Sequence, residues 1–169
     1  SFITWTPKFL RTNDGGDNWF PFTGAGIFYF FDANNGWSYY GSGQGFDPPF
    51  KILRTTDGGD SWNEQFTDNT KYAYNAIHFS DLNNGWVVGD SGKVLKTTDG
   101  GVNWNFVTNT GVNINNRSKA VYFLNPNVGW ISSKATQPHD IPFIQHTTDG
   151  GATWTNQQPP IADPYGFNA

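Results

Sequence analysis

An eight-residue motif with an Asp-Gly-Gly core occurs four times along the 169 residues of the chain. Its copies end at Trp19, Trp62, Trp104 and Trp154, and their aspartates are separated by 43, 42 and 50 residues. A period of this length is typical of tandem structural repeats, each of which buries its apolar surface against its neighbours. This repeat therefore constrains the fold more strongly than any other feature of the sequence.

A second motif alternates with the first and ends at Trp37, Trp86 and Trp130, where the sequence reads FFDANNGW, FSDLNNGW and FLNPNVGW. Asn-Gly pairs favour tight turns. In Asp-Gly-Gly, the carboxylate can accept hydrogen bonds from its own turn, and glycine takes positive φ at little cost. The two motifs therefore predict two tight turns in each repeat, with Asp32 and Asp81 as turn residues.

Each repeat contains four short strand-like runs, and no segment shows helical periodicity. In the third repeat the runs cover 76–79, 86–88, 93–97 and 104–107. Four antiparallel strands in every 40 to 45 residues, approximately, are typical of a β-propeller blade. We therefore predict an all-β fold, a β-propeller of four-stranded antiparallel blades with about four blades present.

The repeat boundaries predict a single propeller region over 1–169. Its units cover approximately 1–23, 24–68, 69–110 and 111–158, followed by a tail, 159–169. Because the chain begins inside a blade and contains no Met, we expect a partial propeller, or a piece of a larger one. The alternative is a closed four-bladed ring, in which 161–169 supplies the missing inner strand of the first blade.

The composition fits such a scaffold and excludes several classes of protein. Aromatic residues make up 18% of the chain and charged residues 14%, so rings must fill much of the interior. A net charge of −4 argues against a nucleic-acid partner, which requires a basic surface. No apolar run approaches the roughly 20 residues of a membrane span. The absence of Cys excludes disulfides and thiolate metal sites.

The Thr-x-Asp-x-Gly-x-x-Trp motif resembles the Asp-box, or bacterial neuraminidase repeat. Together with the Asn-Gly-Trp motif, it is similar to the repeat of the photosystem II stability/assembly factor-like propellers over nearly all of 9–154. Such repeats also occur in secreted proteins of Bacteroidetes-type bacteria, so the resemblance implies a secreted or cell-surface bacterial protein. It does not select a function, because Asp-box propellers include sialidases, xyloglucanases, sorting receptors and assembly factors.

The Asp-box residues are expected to be structural. Each aspartate should lock its turn, and each tryptophan should fold its ring into the space between blades. The residues concerned are Asp14, Trp19, Asp57, Trp62, Asp99, Trp104, Asp149 and Trp154.

No convergent catalytic set remains once these residues are assigned. Arg11 and Arg54 occupy equivalent repeat positions, so they should not converge on one ligand. A glycosidase needs two facing carboxylates. The sole glutamate, Glu64, lies beside a box, which leaves Asp47 and Asp140 as candidates. We therefore predict no catalytic residues, no metal site and no cofactor, with a xyloglucanase- or sialidase-like glycoside hydrolase as the alternative.

One face of the propeller carries the variation between repeats. The two turn motifs should share one face, because connections in an up-and-down blade alternate between faces. The segments that join them vary, because the Asp of one motif follows the Gly of the other by 21, 14 and 20 positions. Binding is predicted on this opposite, variable-loop face. The candidate binding residues are Tyr39, Tyr40, Phe46, Asp47, Phe50, Tyr72, Tyr74, Arg117, His139 and Asp140.

Intact scaffold motifs without a catalytic set favour a non-catalytic module that binds a protein or a glycan, or serves in assembly. Aromatic, Asn and Pro residues on rigid mounts suit such recognition. A further hypothesis is a structural subunit that assembles through exposed strand edges.

Overall fold

A computed structural model describes residues 8–23, 26–42, 47–70, 72–108, 117–134 and 144–157. Regular structure in these ranges is β-sheet, apart from a 3-10 turn at Asp90–Gly92. None of the described segments forms a helix long and apolar enough to cross a membrane. The strands are β1 Lys8–Arg11, β2 Phe20–Thr23, β3 Ile27–Phe30, β4 Gly36–Ser42, β5 Asp47–Thr55, β6 Asn63–Asp68, β7 Tyr74–Phe79, β8 Gly85–Gly89, β9 Val94–Thr97, β10 Asn105–Phe106, β11 Arg117–Phe123, β12 Gly129–Lys134, β13 Ile144–Thr147 and β14 Thr155–Asn156.

The strands form four antiparallel sheets, which we call blades 1 to 4. Blade 1 contains β1 and β2 within the described residues, and blades 2 to 4 contain β3–β6, β7–β10 and β11–β14. Each strand pairs with the next one along the chain, so every four-stranded blade is a meander. This is the order that two alternating turns in each repeat predict.

The third repeat shows how closely the strands follow the sequence pattern. Each of the four predicted runs contains a strand: β7 and β8 extend up to two residues further than predicted, and β9 begins one residue later, at Val94. The last strand is shorter, because Trp104 precedes it and turns its ring into the core, where it is 7% exposed. The pairs Asn105–Lys96 and Phe106–Leu95 then complete the blade.

The core consists of aromatic and aliphatic side chains packed between neighbouring blades. The layer between blades 2 and 3 includes Trp37, Tyr39, Phe50, Ile52, Tyr74, Ile77, Phe79, Val87, Leu95 and Trp104. The layer between blades 3 and 4 includes Trp86, Val88, Val94, Val121, Phe123, Ile131 and Trp154.

Strand β8 is buried along its whole length because blade 3 is covered on both sides. Successive side chains of a strand point to opposite faces. Accordingly, Val87 packs in the layer toward blade 2, and Trp86 and Val88 pack in the layer toward blade 4.

Candidate interaction surface

The Asp-box turns are closed by their own side chains. In the second box, the Thr55 hydroxyl donates to Asp57 Oδ1 at 2.7 Å and accepts from the Gly59 N–H at 2.8 Å. Asp57 Oδ1 also accepts from the Ser61 N–H at 2.9 Å. The same contacts occur around Asp14, Asp99 and Asp149. The predicted turn locks are present in all four boxes.

These hydrogen bonds favour the ionised form of each box carboxyl. Bonds from the Thr153 hydroxyl and N–H, and from Thr147, lower the pKa of Asp149 to about 2. The pKa of Asp57 is lowered in the same way, first by the Ser61 hydroxyl. A general acid needs a raised pKa. The box aspartates are therefore poor candidates for that role.

The two turns of each blade lie together at one end of the strands. The first box glycine donates its N–H to the Asn-Gly turn of its own blade, as in Gly58 to Asn34 O at 2.9 Å and Gly100 to Asn83 O at 2.9 Å. The Asp32 carboxylate accepts the N–H groups of Asn34 and Asn35, and so closes that turn. We call this end the Asp-box face.

Cationic side chains just before the boxes join each blade to the next. Arg54 Nη1 donates to the Gly100 carbonyl at 3.0 Å, and Lys96 Nζ donates to the Gly150 carbonyl at 2.9 Å. Arg11 makes the equivalent contact with Gly58. These cations bind successive boxes and do not converge on one site, as predicted from their equivalent positions.

The opposite end of the strands is the variable-loop face, formed in the described residues by 68–70, 72–75, 90–93 and 117–119. The connection from β8 to β9 packs there against the segment that enters blade 3, since the Asp90 N–H donates to Ala73 O at 2.9 Å. A Cβ atom on Gly89 would overlap the same carbonyl. The two connections therefore form one surface.

A buried polar cluster lies beneath this surface. Asp68, only 5% exposed, accepts hydrogen bonds from Tyr74 Oη at 2.7 Å, the Thr70 N–H at 2.8 Å and Lys93 Nζ. Burial alone would raise the pKa of Asp68, but these bonds outweigh it and hold the pKa below its usual value. Lys93 also donates to Tyr72 O at 2.9 Å. The cluster thus fixes the backbone that carries Tyr72.

An exposed polar rim continues from this cluster onto blade 4. Asn75 Nδ2 donates to Asp90 Oδ1 at 2.7 Å, and Lys119 Nζ donates to Asn75 Oδ1 at 3.1 Å. Arg117 Nε lies 3.6 Å from Asp90 Oδ2, with its side chain 59% exposed. Exposed ion pairs of this kind contribute little stability. Because 59% of its side chain is exposed, Arg117 is also accessible to a partner.

The structure divides the predicted binding residues into exposed and buried ones. Tyr72 and Arg117 are exposed on the variable-loop face, and Tyr40 is half-buried in β4. The placement of Tyr39, Phe50 and Tyr74 on an accessible surface is wrong. Their rings pack between blades 2 and 3. Burial there is favoured because removing apolar surface from water lowers the free energy.

Other predicted residues are only partly described. Phe46, His139 and Asp140 lie outside the described residues. Asp47 begins β5, but its side chain is outside the description. The part of the chain that is described contains no group of three His, Asp or Glu side chains suited to a metal ion. Glu64, the sole glutamate, is paired with Lys51.

One expectation about the Asp-box tryptophans needs correction. Trp104 and Trp154 are 7% exposed between blades, as predicted. Trp62 is half-buried against Phe28, with ring centroids 5.4 Å apart. Trp19, however, is 57% exposed, because among the described residues no blade precedes blade 1 to cover it.

Sequence reasoning missed the residues that organise the variable-loop face. Asp68 and Lys93 are 25 residues apart and belong to different blades, so no local motif links them. The sequence Asp-Ser-Gly at Asp90–Gly92 could have predicted a turn. The contact of this turn with Asn75, however, depends on the packing of the blade.

Comparison with solved structures supports the architecture. The chain is similar to YCF48 bound to D1 peptide, with a TM-score of 0.61, 23% identity, and coverage of 78% of this chain and 38% of that one. For YCF48 from Cyanidioschyzon merolae the TM-score is 0.59 and the identity 24%, and the match covers 76% of this chain and 38% of that one. For the GH74 enzyme of Niastella koreensis the TM-score is 0.51 and the identity 24%, and the match covers 76% of this chain and 21% of that one. At these identities the likeness concerns the fold, and it confirms the predicted β-propeller.

Sequence comparison gives the family. The chain spans 38% of the length of each of the two YCF48 structures. No curated protein matches it. The family model described as photosynthesis system II assembly factor YCF48 matches residues 28–107 and 67–160. The chain therefore belongs to the YCF48 family of Asp-box propellers, as the resemblance of its two motifs predicts.

Proposed function

We propose that this chain is a non-catalytic protein-interaction module that binds a partner polypeptide on the variable-loop face. Its family is that of an assembly factor, and one structure with the same fold is YCF48 bound to D1 peptide. The observation that carries the proposal is that this face combines exposed side chains with a backbone held by buried contacts. Tyr72 and Arg117 are exposed there, and Lys93, which is paired with Asp68, donates a hydrogen bond to the backbone carbonyl of Tyr72.

The chemistry of these side chains indicates the kind of partner. Tyr and Arg are enriched among residues that dominate binding energy at interfaces. A surface whose backbone is already fixed loses little entropy when a partner binds. Arg117 lies beside the Asp90 carboxylate and Lys119 donates to Asn75, so these contacts of the rim involve two cations and one carboxylate. We therefore propose a partner segment with an aromatic side chain and a carboxylate.

The proposal is tested with defined peptides. Fluorescence anisotropy measures binding of a labelled D1 peptide, and an array of aromatic and acidic peptides supplies further probes. Replacement of Tyr72 or Arg117 by Ala should weaken binding of a captured peptide by about tenfold, which corresponds to 1.4 kcal/mol. Val102→Ala is the matched control, because Val102 is 65% exposed in an Asp-box turn. Equal binding by all variants would remove this face from consideration.

A glycan partner and a hydrolytic activity are alternatives on the same scaffold. A glycan array probed with the same variants tests the first. The hydrolytic activity would depend on Asp47 and Asp140. What favours it is that the chain has the same fold as the GH74 enzyme. Hydrolysis of chromogenic glycosides or xyloglucan that is abolished by Asp47→Asn or Asp140→Asn would replace the non-catalytic proposal.

We also propose a secreted or cell-surface location in a bacterium. Its support is the resemblance of the combined motifs to repeats of secreted bacterial proteins. Fractionation of the source cells, followed by immunoblotting, tests this. Recovery from the cytoplasmic fraction alone would contradict it.

A further inference from the structure

Asn-Gly bonds occur twice in the chain, at Asn35-Gly36 and at Asn84-Gly85, in the equivalent turns of blades 2 and 3. Such bonds are labile, because glycine has no side chain to hinder attack by its nitrogen on the asparagine side chain. The new bond joins the glycine N to the asparagine Cγ, the Cγ–Nδ2 bond breaks, and ammonia leaves with the amide proton. Water then opens the resulting succinimide to aspartate or to isoaspartate.

Packing requires the glycine of each bond. A Cβ atom on Gly36 would lie 2.7 Å from the Phe30 ring, and one on Gly85 would lie 2.4 Å from the Phe79 ring. The ring that ends the first strand of each blade therefore lies directly over the glycine that begins the second. A bulkier residue, which would slow the reaction, has no room at this position.

A carboxylate holds the labile amide in both turns. Asn35 Nδ2 donates to Asp32 Oδ1 at 3.0 Å and to Asp32 Oδ2 at 2.9 Å. Asn84 Nδ2 makes the same two contacts with Asp81, also at 3.0 and 2.9 Å. Each side-chain amide is thus bound by both oxygens of one carboxylate, and these bonds must break before Cγ can turn toward the glycine nitrogen.

The peptide unit that carries the glycine nitrogen is held as well. In blade 3 the Asn84 carbonyl accepts from the Ser80 N–H at 3.0 Å, and Gly85 is paired with Thr97 of β9. Blade 2 has the same arrangement. Attack on Cγ requires this peptide unit to leave the sheet, so the turn must open locally before it reacts.

Blade 4 closes the same turn without the labile bond and without the carboxylate. Val128 stands where blades 2 and 3 have the asparagine, and Asn125 stands where they have the aspartate. Asn125 Oδ1 accepts the N–H groups of Asn127 and Val128 at 2.9 and 3.0 Å. One side-chain oxygen therefore closes the turn. The second oxygen of Asp81, Oδ2, binds the asparagine amide at 2.9 Å.

We propose that the two Asn-Gly bonds are latent sites of isoaspartate formation, and that the carboxylates of Asp32 and Asp81 suppress the reaction in the folded chain. Each aspartate protects the asparagine of its own turn. Isoaspartate would insert a methylene into the backbone next to Asn83, whose carbonyl accepts the Gly100 N–H at 2.9 Å. The modification would therefore separate the turn of blade 3 from its Asp-box. This inference is independent of the partner proposed above.

Peptide mapping measures the reaction at each site separately. Lys51 and Lys71 lie between the two bonds, so trypsin releases them in different peptides. The full chain is incubated at mildly alkaline pH, either folded or in urea. Mass spectrometry follows deamidation, and labelling by an isoaspartyl methyltransferase identifies isoaspartate. Both sites should react at least about tenfold more slowly in the folded chain, because each turn must open before it reacts.

Asp81→Asn tests the carboxylate itself. The variant keeps an oxygen that can close the turn, as Asn125 does in blade 4. It should speed deamidation of Asn84 by about tenfold or more and leave the rate at Asn35 unchanged, since only the amide of its own turn is released. Asp32→Asn should do the reverse. Leu82→Ala is the control, because Leu82 lies in the same turn and is 39% exposed.

The two sites serve as controls for each other. Circular dichroism and thermal melting show whether each variant is folded. Equal rates in the folded and the urea-unfolded wild type would overturn the proposal. So would an unchanged rate at the asparagine of the altered turn, or an equal rise at both sites, which indicates general destabilisation. A rise in Leu82→Ala as large as that in Asp81→Asn would overturn it as well.

Discussion

The indole of Trp86 lies flat on the ring of Phe123, with centroids 3.5 Å apart and planes inclined by 4°. The two residues belong to neighbouring blades. The same indole donates its N–H to the carbonyl of Gly150 in the next Asp-box. A Cβ atom on Gly150, whose φ is +72°, would lie 2.5 Å from Lys96 Nζ, which binds that carbonyl as well. Here the glycine serves both the turn and the junction between blades.

Replacement of Trp86 measures what this junction contributes. Trp86→Ala should lower the free energy of unfolding by about 3–5 kcal/mol, because it leaves a large cavity in a fully buried layer. Trp130→Ala is the matched control, since Trp130 occupies the same repeat position without a following blade among the described residues. Its effect in dilute solution should be clearly smaller. Urea denaturation provides the comparison, and equal losses would contradict it.

The Asp-box threonine is predicted to stabilise its turn through the hydrogen bonds of its hydroxyl. Thr97→Val removes the hydroxyl that donates to Asp99 and accepts from the buried Gly101 N–H at 2.8 Å. The unfolding free energy should fall by about 1–3 kcal/mol, since a buried donor loses its acceptor. The neighbouring, exposed Thr98 supplies the control Thr98→Val. If both variants melt alike, the hydroxyl contributes nothing specific.

His78 should make stability depend on pH. Burial lowers the pKa of His78 below its ordinary value of 6.5, outweighing the hydrogen bond to Phe123 O. As the pH falls below about 6.5, His78 therefore becomes protonated in the unfolded chain before it does so in the folded chain. Stability should decline in that range, and it should be fully present above it.

The matched variant is His78→Tyr, because Tyr29 makes the same carbonyl contact in blade 2 at 2.8 Å. This variant should keep the junction and lose the part of the pH dependence that His78 causes. Thermal melting between about pH 5 and pH 8 tests the difference. Identical slopes for both proteins would mean that His78 titrates normally in the fold.

The buried pair of Asp68 and Lys93 should be strongly coupled. Lys93→Met leaves a carboxylate that is 5% exposed without its cation, and we expect a loss of about 3 kcal/mol. Asp68→Leu should also destabilise, while the double variant should lose much less than the sum. Additive losses in a double-mutant cycle would show that the pair does not interact.

The pKa of Asp68 adds a second expectation. Since it lies below the ordinary 3.8, the contribution of the carboxylate is present above about pH 4 and is lost as the pH falls through the lowered pKa. Acid titration of the wild type and of Asp68→Leu, followed by tryptophan fluorescence, measures this contribution.

The turn chemistry was readable from the sequence because its contacts are local. Thr55, Asp57 and Gly59 lie within five residues of one another, so their spacing alone predicts the bonds that the structure contains. The predicted surface failed for Phe50 and Tyr74 because their burial depends on the neighbouring blade. An aromatic residue beside a variable loop has the same local sequence whether its ring points outward or between blades.

The period and turn motifs of the sequence determined the class of fold and the order of strands, since each blade is a meander closed by local hydrogen bonds. Only the tertiary structure decided which rings are covered. Trp86 is buried and Trp19 is 57% exposed, although both belong to repeated motifs, because burial depends on whether another blade stands opposite. The pairing of Asp68 with Lys93 was likewise decided by packing, since the two residues belong to different blades and meet only where those blades pack together.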